Sequence, residues 1–202
     1  MHPLVILIVF GVIAIAELPD KSLFASLVLG TRYRASWVWA GVAAAFLVHV
    51  IIAVTAGGLL SLLPHRVVEA IVAVLFAAGA ALLLFGREED EVAEGIEEGA
   101  EVDRGVRGNP TFRRVALTSF GVVFVGEWGD ITQIATANYG ARYHAPVEVA
   151  IGAVLGLWAV AALAVTAGQK VLDYVSVTMV RRITGVILAA FAVLSAVSAI
   201  RA

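Results

Sequence analysis

The sequence predicts an all-helical membrane protein: six transmembrane helices arranged as two inverted three-helix repeats, with helices 1 and 4 kinked or broken. Three observations carry this. Hydrophobic residues make up 61% of the 202 positions and charged residues 15%, against about 45–50% and about 25% in soluble domains. The mean hydropathy is accordingly +0.96. Six segments approach the roughly 20 apolar residues that a helical span needs. A short acidic motif recurs at an offset of 110, from Glu17 to Glu127, with its flanks.

The predicted spans are residues 3–29, 37–62, 67–86, 114–139, 147–168 and 183–200. In the first, residues 3–16 with Ala14-Ile15-Ala16 imitate a signal peptide. No Lys or Arg precedes them, and the pattern recurs at residues 115–140, so the segment reads as a retained span. The motif Glu17-Leu-Pro-Asp20-Lys21-Ser22 sits deep in this span, and Pro19 removes a backbone donor there. The fourth span holds Glu127-Trp-Gly-Asp130-Ile-Thr132, with Gly129 in the place of Pro19. Gly weakens a helix too, so both spans should break at the motif.

The flanks repeat as well. Leu29-Gly-Thr-Arg-Tyr33 answers Tyr139-Gly-Ala-Arg-Tyr143, and Ala53-Val-Thr-Ala-Gly57 answers Ala164-Val-Thr-Ala-Gly168. Residues 1–86 and 114–202 are therefore the two repeats, and 87–113 joins them. Three spans per repeat turn the second upside down relative to the first. With the N-terminus outside, inner segments collect ten Lys or Arg residues and outer ones three, Lys21 being left out as intramembrane. The positive-inside rule thus places both termini outside and the central loop in the cytoplasm. That loop carries nine acids between Glu88 and Asp103 and reads as a solvated linker, part of which the helical spacing of Val92, Ile96 and Gly99 allows to form a helix lying on the membrane.

Composition excludes whole classes. A net charge of −2 offers nothing to nucleic acid, and the absence of cysteine removes thiolate metal sites and redox chemistry. No nucleophile–base constellation or cofactor fingerprint is present, so the chain reads as no enzyme. Intramembrane carboxylates cost about 2.5–3.5 kcal/mol each on insertion scales. Glu17, Asp20, Glu127 and Asp130 are four, against one in-plane base, Lys21, so pairing cannot neutralise them. Read on one helix, the Glu and Asp of each motif share a face, and antiparallel repeats bring the four together near the midplane. Ser22, Thr132 and Gln133 add neutral oxygens. An all-oxygen set suits hard divalent cations such as Mn²⁺ or Ca²⁺. Carboxylates crowded in a low dielectric hold either protons or a cation, so the two compete for one set of oxygens and can exchange.

Other polar residues carry less. His49 has no duplicate and reads as a packing or hydrogen-bonding residue; Asn138 follows Asp130 by two turns on a similar face. Thr118 and Ser119 should bond within their helix. Gly41, Ala45, Gly152 and Gly156 mark close helix packing. Glu69, Glu148 and Asp173 stand near span ends, within reach of water or headgroups.

At its motifs the chain resembles the Gdt-type Ca²⁺/Mn²⁺:H⁺ antiporter family, whose signature Glu-x-Gly-Asp-(Lys/Arg)-(Ser/Thr) occurs once in each three-span repeat. The resemblance implies a metal set of Glu17, Asp20, Ser22, Glu127, Asp130, Thr132 and Gln133, with Lys21 joining the four acids in proton and charge coupling. It implies Mn²⁺ or Ca²⁺ as cargo rather than a resident cofactor, protons as the counter-ion, and the lipid bilayer as surroundings. A bacterial inner membrane and export from the cytoplasm are expected; a homo-oligomer stays open. Pro19 replaces the family's Gly, Ile131 its second Lys or Arg, and Leu23 a Gln. Unequal half-sites follow, the second leaning on Gln133 and the first modulated by Lys21. The rivals are an exporter of small cationic solutes such as basic amino acids, lined by Trp128 and Trp158, a passive cation channel, and a non-transporting scaffold.

Overall fold

The computed structural model describes residues 2–18, 20–60, 62–106, 108–143, 145–174 and 177–201, with the side chains of 88, 91, 167–174, 177 and 180 left aside. Every element among them is helical: α1 (Pro3–Glu17), α2 (Lys21–Arg32), α3 (Ala35–Leu60), α4 (His65–Phe85), α5 (Glu88–Gly105), α6 (Phe112–Gly126), α7 (Ile131–Tyr143), α8 (Pro146–Tyr174) and α9 (Val177–Arg201).

Four helices are long and apolar enough to cross a membrane: α3, α4, Pro146–Thr166 of α8 and Arg181–Arg201 of α9. Each contains or closely overlaps a predicted span. The predicted first span is divided between α1 and α2, which meet at 74° and qualify only as a pair. At 1.5 Å per residue, 15 residues reach about 22 Å, short of a hydrocarbon core of about 30 Å. The predicted fourth span is likewise divided, between α6 and α7. Its break falls at Gly129, whose φ of +82° lies in the left-handed region that glycine adopts without strain. The matching Pro19 lies outside the described residues.

The outer surface is apolar. Leu4, Leu7, Leu59, Val74, Phe85, Val125 and Ile200 are all more than 60% exposed. An apolar surface of this extent belongs against lipid rather than water. Inside, α1 packs on α8, α6 on α3, α2 on α8, α7 on α3, and α4 on α9. Small residues set the seams. A Cβ added at Gly152 would stand 2.7 Å from Ile6 O of α1, and one at Gly41 would stand 3.0 Å from Phe120 N of α6. Gly156 likewise abuts α1 at Phe10 O and Ala14 N.

The acidic segment differs from the solvated linker its composition predicts. It forms α5, a continuous helix lying on α2 and α6. The reason lies in its other face. Gly95 meets Lys21 and Phe24, Gly99 meets Val28, and Gly105 meets Thr118, while Val102 and Val106 are buried. Arg32 pairs with Asp103, and Tyr33 Oη donates to Asp103 Oδ1 at 2.8 Å.

Candidate metal centre

Both motifs use their residues alike. Glu17 ends α1, and Glu127 caps the C-terminus of α6. Across each break an aspartate caps the next helix: Asp20 Oδ2 accepts from Ser22 N (3.4 Å), and Asp130 Oδ2 accepts from Thr132 N (2.9 Å). Asp and Ser/Thr compete with the helix for backbone donors, which favours this arrangement at an interruption. The Glu and Asp of one motif therefore do not share one helical face, as unbroken helices would require. They meet across a gap, and the N-termini of α2 and α7, the positive ends of their dipoles, open beside them.

The two gaps converge. Glu17, Asp20 and Glu127 each offer a carboxylate oxygen, and these oxygens lie within 4.8 Å of one another. Asp130 is close enough to act electrostatically on both glutamates. Glu17 is 1% exposed and Glu127 3%. Glu17 Oε1 accepts from Ser22 Oγ at 2.6 Å. Glu17 Oε2 and both oxygens of Glu127 are buried without a hydrogen-bond partner. Buried carboxylate oxygens without partners are costly, and a divalent cation would satisfy all three.

The half-sites are unequal, but the hydroxyls make them so. Ser22 holds the glutamate of its motif, whereas Thr132 Oγ1 donates to the aspartate of its own, Asp130 Oδ2, at 2.9 Å. Glu127 is thereby left with two open oxygens. Gln133 does not turn its amide to the cluster as the resemblance implies. Its Oε1 accepts from Gly129 N (2.8 Å), and its Nε2 lies 2.9 Å from His49 Nδ1. His49 Nε2 lies 3.1 Å from Phe124 O. With the amide as donor, the imidazole is neutral, accepting at Nδ1 and donating from Nε2 to a carbonyl at the end of α6. Gln133 and His49 brace the second break.

Lys21 Nζ donates to Gly126 O at 2.8 Å and pairs with Glu98 (3.6 Å) and Glu94 (3.9 Å) of α5. It ties both motifs to the acidic helix. Burial pushes the Glu98 carboxyl above the ordinary carboxylate range, and the Lys21 ammonium opposes that shift.

A cavity of about 430 Å³ reaches Asp20 and Asp130, with Arg87, Asp90 and Glu94 also on its walls. Beyond Glu127, among His49, Gln133 and Thr136, the space is only about 10 Å³, about the least that admits a single water. Among the described residues, the larger opening toward the cluster is on the α4–α5 side.

Sequence reasoning placed several residues differently. Glu69 is 2% exposed and lines a cavity rather than the outer surface. Glu148 stands at the start of α8 within reach of water, as expected, and accepts from His2 N (3.2 Å); the side chain of Asp173 lies outside the described set. Asn138 is buried beside Glu69 in a separate cavity. Ser119 Oγ has no helix partner, and Thr118 packs on Gly105 instead. Arg181, which only the charge rule used, is 4% exposed and lines the large cavity. Its signal was the Arg181-Arg182 pair at the start of the last apolar segment.

The family profile described as divalent cation/proton antiporter GDT1 matches residues 5–91 and 115–202, leaving out most of α5 and the segment after it. A GDT1-like protein of Synechocystis sp. is 31% identical over 91% of this chain and 92% of its own. A chloroplast PAM71-homolog of Arabidopsis thaliana is 28% identical over 91% of this chain and 56% of its own. A GDT1-like protein 4 of Oryza sativa subsp. indica is 29% identical over 92% and 70%. The chain thus spans nearly all of the cyanobacterial relative and little more than half of the chloroplast one. No solved structure matches it.

Proposed function

The chain belongs to the GDT1 divalent cation/proton antiporter family, and on that premise we propose that it exports Mn²⁺ or Ca²⁺ from the cytoplasm in exchange for entering protons. The observation that carries this is the set of three partnerless, buried oxygens on Glu17 and Glu127, with Asp20 beside them. Carboxylate and hydroxyl oxygens suit a hard divalent cation, and Mg²⁺ less, because it sheds water reluctantly. In the proposed cycle the metal enters along Asp20 and Asp130 and settles between Glu17 and Glu127. Protons take its place on the same carboxylates once it leaves. Ser22 and Thr132 orient the acids, Lys21 tunes the field from α5, and Gln133 holds the second break open.

Six spans in two inverted repeats are part of the proposal, α6 with α7 serving as the counterpart of α1 with α2. The packing supports it. Exchanging the repeats turns α1 on α8 into α6 on α3, and α2 on α8 into α7 on α3, while α4 on α9 maps onto itself. The positive-inside reading puts the 430 Å³ cavity on the cytoplasmic side, so this conformation faces inward. A bacterial inner membrane suits a chain matched almost end to end by a bacterial relative.

The rivals have less support. Trp158 is engaged with Trp39 and donates to Ala43 O at 2.9 Å, and Trp128 is 62% exposed, so neither ring lines the cluster. That weakens the basic-amino-acid reading. Closure beyond Glu127 weakens the channel. The test is reconstitution into liposomes with a trapped pH dye. Mn²⁺ or Ca²⁺ should drive opposing proton movement, and metal flux with no proton response would defeat the proposal.

A further inference from the structure

A second, separate cavity of about 210 Å³ lies between α4 and α7, lined by Leu63, His65, Val68, Glu69, Asn138, Ala141 and Arg142. It sits at the end of the bundle opposite Arg87, beside the α3–α4 turn and the end of α7. Glu69 is 2% exposed, and its Oε2 is buried without a hydrogen-bond partner. Its Oε1 lies 3.9 Å from His65 Nε2, which in turn lies 3.4 Å from Ser198 Oγ of α9. A buried acid at a helix start needs a reason, and neither the metal cluster nor the packing seams use this one.

We propose that this cavity is the proton-entry vestibule of the far side, and that Glu69, assisted by His65, takes up the proton there. The inference rests on the antiporter reading given above. One carboxylate and one imidazole are too few ligands for a divalent cation, and the Arg142 guanidinium in the same cavity repels one. The same pair can accept a proton from water and release it. In the step, a hydronium ion in the vestibule gives its proton to the Glu69 carboxylate: one O–H bond of the hydronium breaks, water is left behind, and an O–H bond forms on the carboxylate. That proton later passes to a Glu127 or Glu17 carboxylate vacated by the metal; no electron moves. Asn138, eight residues beyond Asp130 and so about 12 Å along α7, lines the same cavity, so α7 links it to the second motif.

The two ends of the molecule differ as a sided device requires. Glu69, near the start of α4, lines one cavity; Arg181 of α9, buried with Nη1 unpartnered, lines the opposite one. An acid stands at one mouth and a base at the other. On the walls of this cavity the charged or titratable residues besides Glu69 are His65 of its own helix and Arg142 of α7, and α9 brings the Ser198 hydroxyl to His65.

The test uses proteoliposomes of single orientation, with Mn²⁺ on the α5 side and pH varied only on the Glu69 side. Wild-type exchange should rise as that pH falls and then saturate. Glu69→Gln should need roughly tenfold more protons for half-maximal rate, with its Mn²⁺ dependence unchanged. Glu69→Asp should restore the profile, and Arg142→Gln should move it the opposite way. If Glu69→Gln does not fold, Arg142→Gln and His65→Gln carry the test: displaced profiles support the proposal and unmoved ones overturn it. Wild-type exchange with an unaltered Glu69→Gln profile overturns this inference and leaves the antiporter reading intact. A wild type that exchanges no metal for protons removes the reading itself.

Discussion

Replacing Glu127 by Gln should make the metal-free protein more stable while abolishing its response to metal. Both oxygens of Glu127 are buried without partners, and Glu17 and Asp20 each place a carboxylate oxygen within 4.8 Å. An unsatisfied buried acceptor costs about 1–3 kcal/mol. Gln keeps the shape, removes one like charge and presents an amide donor to the two neighbouring acids. A gain of about 1–3 kcal/mol follows, and for a chain of this length each kcal/mol moves the melting midpoint by about 2–4 °C. Metal acts by linkage: at 100 times Kd it stabilises the wild type by about 2.7 kcal/mol. The variant, having lost one of three clustered carboxylates, should show almost none of that. Thermal unfolding in detergent, with and without Mn²⁺, reads both effects. A lowered metal-free midpoint together with an undiminished Mn²⁺ shift would refute the reasoning, because Glu127 would then be a structural acid.

Gly41→Leu and Gly152→Leu should each destabilise by about 3 kcal/mol or more, since backbone of the facing helix occupies the space. Gly11→Ala and Gly121→Ala, with nothing within 4 Å of the added carbon, should stay within about 0.5 kcal/mol of wild type by melting midpoint. His49→Phe strands the Gln133 amide and the Phe124 carbonyl, at about 1–3 kcal/mol each, and should lower the midpoint while leaving a Mn²⁺ shift measurable. Glu98 binds its proton more tightly in the folded protein than in the unfolded chain. Its contribution to stability is therefore greatest in acid and declines as pH rises from about 4.5 through its raised folded value. Glu98→Gln should flatten that part of the midpoint-versus-pH curve.

Apolar segment lengths located the four long apolar helices and the bent α1–α2 pair, because lipid imposes one length rule on all of them. The duplication was read from the two motifs and from flanks such as Leu29–Tyr33 and Tyr139–Tyr143, while Gly41 and Gly152 were legible as seams because close helix packing leaves no room for a side chain. The acids Glu17, Asp20 and Glu127 were legible because charge in a membrane demands a purpose. Pro19 and Gly129 announced the break; what periodicity could not convey was how the acids meet across it. Read as one helix, Glu17 and Asp20 share a face; in the structure Asp20 caps α2 and the two meet across a gap. The role of Gln133 was hidden for the same reason, because its partners Gly129 and His49 exist only around the interruption. The packing of α5 was masked by its nine acids, although Gly95, Gly99, Val102 and Val106 already traced a seam. Burial of Glu69 depended on α7 and α9 closing over the start of α4, which no local pattern records.

The central claim is that both motifs grip one ion. Anomalous diffraction from crystals grown with Mn²⁺ tests it most directly. A single peak is expected, bridged by carboxylate oxygens of Glu17, Asp20 and Glu127 at roughly 2.1–2.6 Å, the range for oxygen ligands of hard divalent cations. Peaks confined to the acidic face of α5, or one peak per motif with no shared ligand, would contradict it.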